Sequence, residues 1–344
     1  MGELIVAEHL ELGREFVVKL LHQRLAGDPQ LVDRVRVEAQ SLGRLNHPNV
    51  VSVVGFGHAP DGRPYIAMEY LRGRTLSEEL SARRLTVAQS VSHACRVLSA
   101  LGAAHALGIV HRDVKPDNIM LVERTEGTVL KVLDFGMARV LPGVALGAPQ
   151  PLSFPTDTGV VVGTPRFVSP EAARGEEVDA RADVYAVGLV LYVMLAGRGP
   201  FDHLKGTDRL LSAQRESEPD LPSKFAVEVI PPELDAAVQK ALAKRPEDRF
   251  QSAAEFEHEL ERISELLKSP HSWAKTARFG KAARDAVEPS PLPEAPVPEA
   301  QRSSTRTAPV TPKASSGLVA VFLLVVVLTT VLVAGLATVL LRFR

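Results

Sequence analysis

The 344-residue chain has almost no cysteine and no excess of either charge. Its one cysteine, Cys95, excludes an internal disulfide framework and a multi-cysteine metal site, and it suits a reducing compartment. Cys95 lies in a helical-looking stretch, VSHACRVLSAL, where a thiol reads as a small buried hydrophobe. Lysine and arginine number 40 against 41 acidic residues, a net charge of −1, so no basic surplus points to nucleic acid. The first 20 residues alternate charged and apolar groups and do not read as a signal peptide. There is no internal repeat. What remains is an ordinary globular balance, 45% hydrophobic and 24% charged, at a length that fits two domains or one large one.

Composition divides the chain into three. Residues 1–266 mix strand and helix patterns. Residues 267–316 gather Pro289, Pro291, Pro293, Pro296, Pro298, Pro309 and Pro312 among serine, threonine, alanine and charge, a composition that predicts an unstructured linker. Residues 317–341 close on an uncharged apolar run, Leu318 to Leu341. As a helix that run would be about 36 Å long, enough for a bilayer core of about 30 Å. Residues 342–344 follow as a short tail.

Within the first part, ELIVAEH and EFVVKLL predict a hairpin turning at Leu12-Gly13-Arg14. A helical pattern spans Leu31–Leu45. VVSVVGFG and PYIAMEYL read as strands, and after residue 75 the helical period dominates. A small sheet-rich lobe ahead of a larger helical one implies a cleft between them (N-lobe about 1–70, C-lobe about 71–266), and such clefts hold ligands.

The residues that carry chemistry are HRDVKPDN, His111 to Asn118, and Asp134-Phe135-Gly136 at the end of the strand VLKVL. Asp113 and Lys115 stand two apart in a loop. One can take a hydroxyl proton while the other neutralises a phosphate oxygen. Asn118 offers an amide oxygen to a cation, and Asp134 a carboxylate suited to a magnesium ion on polyphosphate.

In this pairing the chain resembles the eukaryotic-type protein kinases, and among them the Ser/Thr kinases of bacteria. The resemblance covers about residues 1–264 and implies an α+β bilobal kinase fold that uses ATP and Mg²⁺ or Mn²⁺. It implies that Lys19 grips the α- and β-phosphates and pairs with Glu38, that Met68 is the gatekeeper, and that Glu69 to Leu71 form the hinge at adenine. It makes Asp113 the catalytic base, Lys115 its partner at the transferred phosphoryl, and Asn118 and Asp134 the metal ligands. Gly163-Thr164-Pro165 and Ser169-Pro170-Glu171 resemble the substrate-facing loop and the element that follows it. Glu171 is then expected to pair with Arg249, Asp183 to brace the catalytic loop, and Arg112 to be a buried cation beside the activation segment. Thr156 and Thr158 are the candidate autophosphorylation sites.

The resemblance departs at the start. Gly2 matches the last glycine of the family's glycine-rich loop and Leu4 the apolar residue after it, while the first strand and two glycines have no counterpart. Either the sequence begins downstream of the natural start, or the protein is shortened and holds ATP weakly. The second case leaves room for a pseudokinase scaffold. Val17 stands where the family usually has alanine over adenine. The implied partners are Ser/Thr-bearing protein substrates and membrane lipid at the C-terminal helix. Thr330, Ala334 and Thr338 recur at four-residue spacing, a face for a homodimer unless the pattern is chance in an Ala/Thr-rich helix, and Lys275, Arg278, Lys281 and Arg284 read first as a solvated basic linker and second as a contact for anionic lipid. These expectations place a single-pass protein in the cytoplasmic membrane, kinase domain in the cytosol and C-terminus outside.

Overall fold

The alternating run Glu3–His9 forms β1 and turns back into Arg14–Leu20, β2, in register from Leu4 opposite Lys19 to His9 opposite Arg14. Gly13 makes the turn at φ +59°, a backbone region that costs glycine nothing. The computed structural model describes residues 3–11, 13–21, 29–125, 127–135 and 165–268. In helix α1, Pro29–Gly43, the side chains of 29–31, 34, 35 and 38 lie outside that description.

Strands β3, Val53–His58, and β4, Pro64–Glu69, complete an antiparallel sheet of order β1-β2-β4-β3. The outer edge of β1 has no strand beside it among the described residues, and its apolar side chains Leu4 and Val6 are exposed. The lobe's core is small: Leu21, Ala39 and Ile66, with Val53, Phe56 and Met68 packed on it.

Beyond the sheet the chain becomes mainly helical. Strand β5, Gly73–Thr75, leads into α2, Leu76–Ala82, and then α3, Val87–His105. Both helices start in capping boxes, Thr75 with Glu78 and Thr86 with Gln89, which satisfy donors that a helix N-terminus leaves open. Cys95 is half-buried on α3, and burial pushes its thiol up to about 12, so it stays protonated. Strands β6, Ile119–Arg124, and β7, Gly127–Val132, join β5 in a second sheet. The sequence reading found only β7, because the run of β6 is short and adjoins the HRDVKPDN loop.

Helices α4, Pro170–Arg174, α5, Ala180–Ala196, α6, Thr207–Glu216, α7, Pro232–Ala241, and α8, Ala253–Lys268, finish the lobe. Apolar on nearly every side, α5 is buried almost throughout, with α3, α7 and α8 around it. No helix among the described residues is long and apolar enough to cross a membrane. The run 318–341 lies outside them.

Candidate active site

The loop 111–118 leaves α3 and is fixed from behind. Asp183, near the start of buried α5, accepts from the backbone N–H groups of His111 and Arg112 at 2.8 Å each, and its Oδ2 lies 2.8 Å from His105 Nε2. Those bonds hold Arg112 at φ +68°. Arg112, expected as a buried cation beside the activation segment, is half-buried. His111 is fully buried, with its Nε2 2.8 Å from the Leu133 carbonyl and its ring against Phe135.

In front of this anchor Lys115 Nζ donates to both Asp113 carboxylate oxygens, at 2.7 and 2.9 Å. The Asn118 side-chain N–H groups go to the Asp113 carbonyl and carboxylate at 2.8 and 2.9 Å. That leaves the Asn118 amide oxygen as an acceptor. Leu133 N–H donates to the Asn118 carbonyl at 2.9 Å, which sets Asn118 next to Asp134. Asp134 stands at φ +57°, and Lys19 Nζ of β2 donates to its Oδ1 at 2.7 Å. Asp113, Lys115, Asn118, Asp134 and Lys19 thus converge. A carboxylate and an amide oxygen on neighbouring strand-end and loop segments, with an ammonium on the carboxylate, suit a hard divalent cation between phosphate oxygens.

Next to Lys19 a cavity opens, walled by Leu42, Val50, Val51, Val53, Ile66, Met68, Asp134 and Phe135. Met68 lies opposite both Val17 and Val53 in the sheet. Leu71 is buried against Val51 and Val122. Glu69 accepts from Ser52 N–H and Lys131 Nζ, at 2.8 Å each. Burial raises its carboxyl, but those two bonds outweigh that and hold it below the usual range. Leu4 is exposed opposite Lys19. Glu38 falls on α1, its side chain outside the description; Gly2, Gly136, Thr156, Thr158, Gly163 and Thr164 also lie outside the described residues.

The model of the protein kinase domain matches residues 1–261. The chain belongs to the protein kinase family. It is 37% identical over 296 residues to the serine/threonine-protein kinase pkn3 of Myxococcus xanthus, covering 85% of this chain and 52% of that protein. It is 41% identical over 274 residues to the serine/threonine-protein kinase PknB of Mycolicibacterium smegmatis, covering 77% and 41%. The chain therefore spans about half or less of these relatives' length. Among solved structures it is similar to the PknI kinase domain of Mycobacterium tuberculosis, at TM-score 0.57 and 27% identity over 76% of this chain and 91% of the other. It is also similar to Rad53 in complex with AMP-PNP, at TM-score 0.59 and 26% identity over 75% and 61%.

Deeper in the kinase C-lobe, buried polar side chains tie its segments together. Arg249 is 1% exposed and forks onto Glu171 at 2.7 and 2.8 Å. It also donates to the carbonyls of Ala243, Arg181 and Lys244 and lies over the Tyr185 ring. Gln214, buried on α6, donates to the Arg166 carbonyl at 2.7 Å and accepts from Tyr185 Oη at 2.7 Å. Arg166 in turn pairs with Asp202. The sequence reading missed Lys131 and Asn49. A lysine centred in the apolar run VLKVL was the available signal, since a buried ammonium requires a partner.

Proposed function

We propose that the chain is a Ser/Thr protein kinase that moves the γ-phosphoryl group of ATP to protein hydroxyls. The observation that carries this reading is the convergence of Asp113, Lys115 and Asn118 with Asp134 and Lys19. Asp113 orients the acceptor hydroxyl and takes its proton as the oxygen attacks the γ-phosphorus. The bond from that phosphorus to the β–γ bridging oxygen breaks, and ADP leaves. Lys115 offsets charge on the transferred group, and Lys19 holds the α- and β-phosphates. Asn118 and Asp134 are the residues to hold Mg²⁺ or Mn²⁺, which when bound would neutralise phosphate oxygens. Lysine at 115 together with Thr164 favours serine and threonine as acceptors.

In this reading residues 1–266 are the kinase domain, 267–316 a linker, 317–341 a membrane helix and 342–344 an outer tail. ATP is cytosolic, so the domain faces the cytosol of a membrane-anchored signalling protein. Phosphate on Thr156 or Thr158 would add about −1.5 to −2 charge, for which Arg112 is the proposed partner in ordering the activation segment. The pseudokinase scaffold, with weak or no ATP turnover, is the second reading. Incubation of the full chain with γ-³²P-ATP, Mg²⁺ and myelin basic protein separates the two. We expect label on serine and threonine, lost in Asp113→Asn and Lys19→Met with folding unchanged. Nucleotide binding without transfer in the unaltered protein would establish the scaffold.

A further inference from the structure

Lys131 is 8% exposed in the middle of β7. Its ammonium donates to the Val50 carbonyl at 2.9 Å and to Glu69 Oε1 at 2.8 Å. Around it, residues 49–51 run alongside β7. Val132 N–H donates to the Asn49 carbonyl at 2.8 Å, Val51 N–H to the Val132 carbonyl at 3.0 Å, and the Asn49 side chain to the Leu130 carbonyl at 2.8 Å. One buried cation therefore ties together three stretches: the segment leading into β3, the last residue of β4, and the strand that ends two residues before Asp134. Val50 also walls the cavity beside Lys19 and Asp134.

Stability alone does not call for this arrangement. Taking an ammonium out of water and half-burying its carboxylate partner is costly, and well-packed apolar residues often serve at least as well; in some proteins such a pair is kept because it fixes register. We propose that Lys131 is a positioning residue for the nucleotide. Through Glu69 it locks the connection between the lobes onto β7, so that the adenine end of the site at 69–71 and the phosphate end at Asp134 keep a constant separation. The proposal rests on the kinase reading above.

The experiment uses the full chain, with KM for ATP and kcat measured on a protein substrate, the Kd of a fluorescent ATP analogue, and Tm. In Lys131→Met we expect KM and Kd to rise about tenfold while kcat changes by about twofold or less, the signature of lost binding not specific to the transition state. Tm should fall because Glu69 and the Val50 carbonyl lose the ammonium that bonds both. The double variant Glu69→Leu/Lys131→Met removes both charges of the pair, and the Arg124 that also faces Glu69 is exposed. Its Tm should recover while KM and Kd stay raised. If KM and Kd recover together with Tm, the pair is structural only and the proposal is overturned. A wild type that binds the analogue without transferring phosphate removes the kinase activity and leaves Kd to decide on Lys131; a wild type that binds no nucleotide overturns both.

Discussion

Arg112 and Asp134 are the two non-glycine residues with positive φ among those described, and both stand in the candidate site. Each such backbone costs about 1–3 kcal/mol and persists only where its surroundings over-determine it. Asp183 supplies that constraint for Arg112 and the Lys19 ion pair helps to hold Asp134. A different kind of residue-scale tension sits on α3. His93 Nδ1 is buried without a hydrogen-bond partner. Burial, and then the neighbouring Arg96, lower its pKa to about 4 from 6.5. The unfolded chain takes up the proton first as pH falls, so this histidine's contribution to stability is complete above about pH 6.5. It is lost progressively towards pH 4. Between pH 7 and 5 the loss amounts to about 2 kcal/mol. Urea denaturation across that range should give a shallower pH dependence in His93→Leu than in the unaltered protein. Parallel curves would mean that His93 titrates normally.

At the scale of elements, α5 decides the architecture, because it is buried almost throughout and α3, α7 and α8 pack on it. Gly188 faces α7. A Cβ there would stand 3.0 Å from both Ala241 Cβ and Leu242 Cδ2, at the end of α7 and just beyond it. Gly188→Val should therefore destabilise by about 1–3 kcal/mol through overpacking despite the gain in helix propensity. Equilibrium unfolding checks this, and a stabilised variant would show that α7 moves aside freely. The same helix marks the limit of what a sequence discloses. Its Asp183 was legible because ADVYAVG follows SPE at family spacing, and Glu171 with Arg249 were legible for the same reason. The first hairpin and α1 were legible from alternation and helical period. Lys131 with Glu69, the Asn49 bonds to β7 and strand β6 were not, since each depends on which segments meet in space. Spacing along the chain carries the loop motifs; it does not carry the packing of 49–51 against 130–132.

At the scale of the whole molecule, the two lobes differ sharply in internal support. The N-lobe core is a handful of side chains under a sheet whose β1 is largely exposed, whereas one continuous buried cluster runs through the C-lobe. Lys19 on β2 and Asp134 after β7 form an ion pair directly across the cleft. A magnesium–nucleotide complex would engage both of these residues at once, along with the hinge, so its binding energy should stabilise the weaker lobe through the stronger one. At a free concentration 100 times Kd, that linkage is worth about 2.7 kcal/mol. Thermal denaturation with AMP-PNP should accordingly show a Tm rise that is larger with Mg²⁺ than with EDTA. In Asp134→Asn the magnesium-dependent part should vanish while a smaller nucleotide-only shift remains. In Lys19→Met both parts should shrink. An equal shift in Asp134→Asn and the unaltered protein would take Asp134 out of the metal site, and the pairing of Lys19 with Asp134 would then be a structural tie between the lobes with no part in holding phosphate.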